Sequence, residues 1–300
     1  MSISRNRRGI TTSLVIFLSS ILGFGALPLF VTGQIPASAS VTPSNAVTRF
    51  ANSNATLYVS TVGRDTNNTT CSQTQPCLTI ANAISVANKG DTIDVAAGIY
   101  NTVSSGTISI TKDLTIQGAG ASSTFVGGTS TNSMVSGSVF TVNQGVIATI
   151  SGMTIQYGSG GGIYNNLGTL TATNDTITNN QARDGGGIYN QGTLTATNDT
   201  ISDNQAQDGG GGIDNLGTLT ATNDTIADNQ SSSAGGGIDN LGTLTATNDT
   251  ISHNSASVGG GIYNFAYITI TLTLAATIIA DQKSGSNCSG NVTTDAGYNL

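Results

Sequence analysis

The sequence predicts an all-β fold, a parallel β-helix with three short strands in each coil of about 25 residues and an N-terminal capping helix. The first observation behind this prediction is a Gly-Gly-Ile step that recurs at intervals of 25, 25, 25 and 24 residues. The second is that the residues between these steps alternate between apolar and polar, as strands do. The third is that Thr, Asn, Asp and Gly, which are poor helix formers, fill the repeated unit. The recurring isoleucines are Ile163, Ile188, Ile213, Ile238 and Ile262.

One repeated unit is too small to fold alone. The unit that begins at Ile188 has only two more large aliphatic side chains, Leu194 and Ile201. Each contributes about 1.5–3 kcal/mol when buried, whereas ordering the backbone costs about 1–2 kcal/mol per residue. The units must therefore stack in register, so that each covers the apolar face of the next.

The N-terminal segment, residues 1–39, has the pattern of a secretory signal. Basic residues lie at Arg5, Arg7 and Arg8, an apolar run follows over 14–30, and Ala37-Ser38-Ala39 matches a cleavage site. An uncleaved membrane anchor is the alternative, because the apolar run approaches the length that spans a bilayer. The signal predicts a secreted or cell-surface protein, and residues 40–56 form a polar leader after it.

Residues 57–105 are predicted to form an N-terminal cap made of a strand, a helix over 79–88 and a second strand. The helix carries one apolar stripe, at Ile80, Ala83, Ile84 and Ala87. We expect this stripe to cover the open apolar end of the stack, since solenoids need capped ends.

The β-helix itself is predicted over residues 106–300, with near-identical coils over 160–264. In each coil a strand such as 193–197 points Leu and Ala inward and three Thr outward. Segments of variable length at 181–184, 205–209, 230–234 and 255–258 indicate projecting loops. Two columns of asparagine, which occur at the same place in every coil, are predicted to be ladders of hydrogen-bonded amides. These columns are Asn180, Asn204, Asn229 and Asn254, and Asn165, Asn190, Asn215, Asn240 and Asn264.

Composition limits the classes of function. All sixteen acidic residues are Asp, the net charge is −7, and no cluster of Lys or Arg follows the signal segment, so nucleic acid is an unsuitable partner. In an oxidising compartment Cys71 and Cys77 would pair, which leaves Cys288 either free or paired with a cysteine beyond residue 300.

Several motifs resemble known β-helix families. The N-terminal segment is similar to that of pectin-lyase-like, right-handed parallel β-helix proteins, and this resemblance implies that the β-helix is right-handed. The repeats resemble those of chlamydial polymorphic outer membrane proteins. The tail over 278–300 is similar to the end of secreted bacterial β-helix proteins, which usually continue to another cysteine, so this resemblance implies a truncated chain. The polymorphic proteins also end in a membrane β-barrel, for which this sequence has no segment. The matching motifs are Pro76-Cys77-Leu78-Thr79-Ile80, Gly90-Asp91-Thr92-Ile93, Ala97-Gly98-Ile99-Tyr100, Leu114-Thr115-Ile116-Gln117-Gly118, and the Ile-x-x-Asn steps that begin at Ile177, Ile201, Ile226 and Ile251.

The resemblance implies that polysaccharide lyase or glycoside hydrolase activity must be considered. A lyase needs a base and usually Ca²⁺ held by carboxylates, and between residues 114 and 282 the only basic side chain besides His253 is Arg183. Hydrolysis needs two carboxylates about 5–9 Å apart. Ca²⁺ is expected only for a lyase; otherwise neither a cofactor nor a metal is predicted.

Two columns contain candidate catalytic residues. Asp203, Asp228 and His253 share one column with Asn179, and a solvated corner without chemical function is the favoured interpretation of it. Asp214 and Asp239 share a second column in which the other coils carry Tyr164, Tyr189 and Tyr263. This column would suit a sugar subsite, although simple divergence of the duplicated unit also explains it. A third column, present in every copy, points to turn chemistry; it contains Asp175, Asp199, Asp224 and Asp249.

The outward threonines form a regular grid over the four copies. Thr195, Thr197, Thr220 and Thr222 are its central members. Thr-x-Thr grids resemble those of ice-binding β-helices, but Thr is also simply a good outward strand residue. Together with Tyr189 and Tyr263, these threonines are the candidate binding residues.

The sequence therefore predicts a secreted or cell-surface β-helix protein that contacts carbohydrate, or other host or cell-surface components, without catalysis. Repeated identical faces and the lack of a singular catalytic cluster favour this adhesin-like function. A polysaccharide lyase or hydrolase acting on acidic glycans and an ice-binding protein are the alternatives.

Overall fold

The computed structural model describes residues 54–265 and 270–300, and within these ranges the chain forms one short helix and 29 strands. The early elements are β1 (Thr56–Val59), α1 (Ile80–Val86), β2 (Thr92–Val95), β3 (Gly98–Asn101), β4 (Ile108–Ile110), β5 (Leu114–Gly118), β6 (Thr124–Gly127), β7 (Phe140–Val142), β8 (Ile147–Ser151) and β9 (Thr154–Gln156). The middle elements are β10 (Ile163–Asn165), β11 (Thr169–Thr173), β12 (Thr176–Thr178), β13 (Gln181–Asp184), β14 (Ile188–Asn190), β15 (Thr193–Thr197), β16 (Thr200–Ser202), β17 (Gln205–Gly209), β18 (Ile213–Asn215), β19 (Thr218–Thr222) and β20 (Thr225–Ala227). The last are β21 (Gln230–Ser231), β22 (Ile238–Asn240), β23 (Thr243–Thr247), β24 (Thr250–Ser252), β25 (Ile262–Asn264), β26 (Thr271–Ala275), β27 (Ile278–Ala280), β28 (Cys288–Gly290) and β29 (Thr294–Asp295).

Three long parallel sheets run along the stack. The first sheet has ten strands in the order β1-β2-β5-β8-β11-β15-β19-β23-β26-β29. The second sheet has eight, from β3 to β27, and the third sheet has eight, from β4 to β28. Eight coils contribute one strand to each sheet, and β1 and β29 extend the first sheet at its two ends, which confirms the predicted parallel β-helix.

The register confirms that the copies stack residue upon residue. Leu194 of β15 pairs with Leu219 of β19, and Ile188 of β14 pairs with Ile213 of β18. These side chains are fully buried, as is Ile201 of the second sheet. The core is therefore a set of aliphatic columns that no single coil could bury.

Both predicted asparagine ladders are present and buried. In the ladder that begins at Asn165, Asn190 Nδ2 donates to Asn215 Oδ1 at 2.8 Å, and the same amide donates to the carbonyl of Thr218 at 3.1 Å. In the ladder that begins at Asn180, Asn204 Nδ2 donates to Asn229 Oδ1 at 3.0 Å. Each amide bonds the next coil, so these columns fix the corners.

The capping helix is present but shorter than predicted. Thr79 caps it by accepting from the backbone N–H of Asn82, and it ends before Ala87, which takes extended backbone. The helix packs on β1, β2 and β4, and its predicted apolar stripe is buried. Thr56, placed in the polar leader by sequence, instead belongs to β1 and pairs with Thr92.

The sequence suggested that the variable segments project as loops, but the structure pairs them as strands. β13, β17 and β21 pair in parallel and form a small fourth sheet between the second and third sheets. Isolated bridges continue the pairing from Gln230 to Ser255 and from Ser255 to Ser284. Stacking in register imposes strand pairing even on these polar segments.

The predicted signal, residues 1–39, lies outside the described residues. Over the residues that are described, no helix has the length and apolar character needed to cross a membrane.

Candidate functional site

The corner column of Asp203, Asp228 and His253 is exposed and explained by backbone geometry. These residues have φ between 56° and 58°, in the left-handed region, and Asn179 below them has 55°. Asn, Asp and His tolerate this conformation better than most residues. Asp228 also pairs with Lys283 at 2.7 Å on the surface. These residues therefore form a turn in each coil, which supports the interpretation of the column as a solvated corner.

The tyrosine end of the second candidate column is an aromatic stack. The rings of Tyr164 and Tyr189 lie 5.4 Å apart and nearly parallel. Gln191 joins their hydroxyls, because Tyr164 donates to its Oε1 at 2.8 Å and its Nε2 donates to the Tyr189 oxygen at 3.0 Å. Tyr263 at the other end packs edge-on against Phe265 at 6.0 Å.

The acidic part of the same column is buried. Asp214 and Asp239 are paired in register and are 4% and 7% exposed. Burial raises the pKa of Asp214 to about 8, with a further contribution from Asp239, and burial raises the pKa of Asp239 to about 7. Because both side chains are covered, a polysaccharide has no route to them.

The third acidic column is a ladder of buried carboxyl groups. The backbone N–H of Asp175 donates to Asp199 Oδ1, and that of Asp224 donates to Asp249 Oδ1, each at 2.8 Å. Burial raises the pKa of Asp175 and Asp249 to about 7. It raises the pKa of Asp199 to about 8 and that of Asp224 to about 6. The predicted turn chemistry thus takes the form of hydrogen bonds between coils.

Neither acidic column matches a metal site with three protein ligands. Within the described ranges, no three His, Cys, Asp or Glu side chains converge closely enough to hold an ion.

The threonine grid extends far beyond the repeated copies. Every strand of the first sheet contributes one threonine to a single column on its outer face, and six of these ten lie outside the near-identical coils. Thr195 and Thr220 occupy this column, and Thr197 and Thr222 occupy the neighbouring one. Sequence reasoning found only the repeated part. The column contains Thr56, Thr92, Thr115, Thr149, Thr171, Thr195, Thr220, Thr245, Thr273 and Thr294.

A cavity of about 620 Å³ lies on the outer side of β1, β2 and β5, at a place that sequence reasoning missed. Tyr58, Asp94 and Gln117 occupy successive strands in register there, so their side chains follow one another at about 4.8 Å. Gln73 and Pro76 also line the cavity, and the segment that carries them, between β1 and α1, is called its wall below. The outward position of these three residues could have been predicted from the alternation of their strands. The position of the segment that carries Gln73 and Pro76 could not.

The wall of this cavity is organised by Asn68 and a disulfide. Asn68 Nδ2 donates to three backbone carbonyls, including those of Gln75 and Pro76 at 3.0 Å, and its Oδ1 accepts from Cys71 N. Cys71 and Cys77 are joined by a disulfide.

Cys288 is a free, half-buried thiol whose pKa burial raises to about 11.

A second polar surface lies on the small sheet. Gln181, Gln205 and Gln230 stack in register and line a shallow groove of about 190 Å³. Their exposed amides offer donors and acceptors at the spacing of the coils.

Solved structures of pectin-active proteins are similar to this chain, whereas no protein-family model and no curated protein matches it. Pectin methylesterase PemA from Erwinia chrysanthemi is 13% identical, with a TM-score of 0.44 over 78% of this chain and 80% of that one. Pectate lyase Pel9A is 14% identical, with a TM-score of 0.45 over 82% and 79%. Pectin methylesterase from carrot is 11% identical, with a TM-score of 0.46 over 86% and 91%. At these identities the similarity concerns the fold, and it assigns no functional residue.

Proposed function

We propose that this protein is a secreted or cell-surface β-helix protein that contacts carbohydrate without cleaving it. The cavity beside Tyr58 carries this proposal. Its lining combines one aromatic ring with the amides of Gln73 and Gln117 and the carboxylate of Asp94. An aromatic face with a few convergent polar groups is the composition expected of a small-ligand site.

The cavity favours binding over hydrolysis. Glycoside hydrolysis uses two carboxyl groups about 5–9 Å apart, and Asp94 is the single carboxylate among the described residues that line the cavity. Asp214 and Asp239 form a pair, but both are covered. We therefore place the lyase or hydrolase alternative second.

Export is part of the proposal. It is supported by the signal pattern of residues 1–39 and by the disulfide between Cys71 and Cys77, which suits an oxidising compartment.

A glycan array probed with the full chain tests the proposed function. We expect binding that falls at least tenfold in Tyr58→Ala and also falls in Asp94→Asn, because these remove the ring and the charged acceptor. Tyr298→Ala is the matched control, since Tyr298 is 94% exposed and does not line the cavity. Empty glycan-array and cell-binding screens, or binding that survives Tyr58→Ala, would show the proposal to be wrong.

Ice binding is a second candidate, favoured by the continuous threonine column. Duplication of one unit cannot explain threonines in coils outside the repeat, such as Thr92 and Thr149. Preference of β-strands for Thr remains a sufficient cause. Thermal hysteresis that disappears in Thr195→Lys would establish this function, and its absence in the unaltered chain would exclude it.

A further inference from the structure

Asp214 and Asp239 present two oxygens that lack partners. The residues stack on adjacent strands of the third sheet, where coils on either side carry tyrosine. Among the described residues, neither Asp214 Oδ1 nor Asp239 Oδ1 has a hydrogen-bond partner, and both atoms are inaccessible to solvent. A buried polar atom without a partner is costly, so something must satisfy this pair.

The surroundings bring the other two oxygens together. A Cβ built on Gly209 would lie 2.6 Å from Asp239 Oδ2 and 3.5 Å from Asp214 Oδ2. Both oxygens therefore converge beneath the same backbone segment. A side chain at 209 would displace the carboxyl of Asp239, because its Cβ would lie 2.6 Å from Oδ2.

The charges around the pair are negative. Burial is the main cause of the raised pKa of both carboxyls, and the charge of Asp184, which pairs with Gly209 in register, raises the pKa of each further. Two basic side chains of the later coils are engaged elsewhere: Arg183 bonds Asp208 at 2.7 Å and Lys283 bonds Asp228 at 2.7 Å. No Lys, Arg or His of the described ranges forms an ion pair with Asp214 or Asp239.

We propose that Asp214 and Asp239 bind one divalent cation, Ca²⁺, which links two adjacent coils beneath Gly209. Two carboxylates balance its charge, and their four oxygens are the hard ligands that Ca²⁺ prefers. Ca²⁺ tolerates irregular coordination, so backbone carbonyls and water can complete a shell that two side chains begin. Mg²⁺ demands a near-ideal octahedron and suits a preformed pair less well. With only two side-chain ligands, we expect a dissociation constant on the order of 10⁻⁴–10⁻³ M.

Luminescent Tb³⁺, a substitute for Ca²⁺, tests this proposal directly. Tyr189 and Tyr263 lie one strand away on either side of the pair, and the chain has no Trp, so excitation of tyrosine alone would sensitise the ion. We expect Tb³⁺ emission from the full chain at neutral pH, displaced by Ca²⁺ and lost at least tenfold in Asp214→Asn/Asp239→Asn. Tyr189→Phe should lower the emission while Ca²⁺ binding, measured by equilibrium dialysis, stays.

Asp203→Asn is the matched control, because it removes an exposed carboxylate a short way along the chain from Asp214 and should leave the emission unchanged. Thermal unfolding provides a second measurement. The melting temperature of the unaltered chain should rise on replacing EDTA with millimolar Ca²⁺, rise less with Mg²⁺, and not respond in the double variant. Circular dichroism establishes that this variant is folded. Absence of both emission and thermal response in the unaltered chain, or their persistence in the double variant, would overturn the proposal; the first result would mean that protons satisfy the pair instead.

Discussion

The backbone N–H of Asp199 donates to Oδ1 of Asp224, one coil further along the stack, at 2.8 Å. The same bond recurs from Asp175 to Asp199 and from Asp224 to Asp249. In three of these four carboxyls the second oxygen is buried and lacks a partner among the described residues. Burial and the missing partners therefore favour the protonated form of these carboxyl groups over the charged form.

This ladder predicts that the protein is more stable in mild acid than in mild base. The pKa values of the four carboxyls are raised from the ordinary 3.8 to between about 6 and about 8. The folded state therefore holds more protons than the unfolded state between about pH 4 and pH 8, so stability falls as pH rises through this window. Each carboxyl that differs in protonation changes the unfolding free energy by about 1.4 kcal/mol per pH unit. Melting temperatures measured from pH 5 to pH 8 check the prediction, and a flat profile would contradict it.

Replacing one aspartate of the ladder should remove part of the dependence of stability on pH. Asp199→Asn keeps an oxygen that accepts from Asp175 N but cannot become charged. We expect the variant to exceed the unaltered chain in stability at pH 8 and to match it near pH 5. Asp208→Asn, a change at an exposed position, should leave the shape of the pH profile intact.

The asparagine ladder predicts a large loss of stability from one amide. Asn215→Ala removes two buried bonds, the one that Asn215 donates to Asn240 at 2.7 Å and the one that it accepts from Asn190 at 2.8 Å. Each such bond contributes about 0.5–1.5 kcal/mol, so urea unfolding should show a loss of about 1–3 kcal/mol. Gln207→Ala, at an exposed position, should change the midpoint little; an equal effect in both would argue against the ladder.

At the corner column, we expect the effect of a substitution on stability to depend on the backbone conformation that the new residue accepts, and not on its charge. Asp203→Gly and Asp203→Asn should be nearly neutral, because both residues accept the left-handed φ of 56°. Asp203→Val should cost about 1–2 kcal/mol, since its branched Cβ opposes that conformation. Unfolding measurements on the three variants decide the matter. A neutral Val variant would contradict the conformational explanation.

The cavity wall predicts an effect at a distance from any ligand. Asn68→Ala deletes the bonds donated to the carbonyls of Gln75 and Pro76, in the segment that also carries Gln73, and a third bond donated to the carbonyl of Arg64. We expect faster proteolysis within residues 60–77 and weaker glycan binding, while Asn101→Ala at an exposed position serves as control. Unchanged proteolysis would show that the disulfide alone orders the wall.

The sequence predicted the fold from its period, and it predicted the ladders because identical residues recur at one place in every coil. It did not predict the small sheet at β13, β17 and β21, because polar segments without alternation give no strand signal, although stacking pairs them. Tyr58, Asp94 and Gln117 were missed for a related reason. Their alignment depends on register between coils that are not near-copies of one another, and no local pattern encodes that register.

Register between copies also has an evolutionary consequence. Thr193 pairs with Thr218 and Leu194 with Leu219, so excising residues 194–218 would join Thr193 to Leu219 and leave every remaining strand opposite an equivalent partner. Recombination between such similar stretches of a gene adds or removes whole turns without creating a mismatched joint. The length of this rod is therefore free to vary among descendants while its cross-section is preserved.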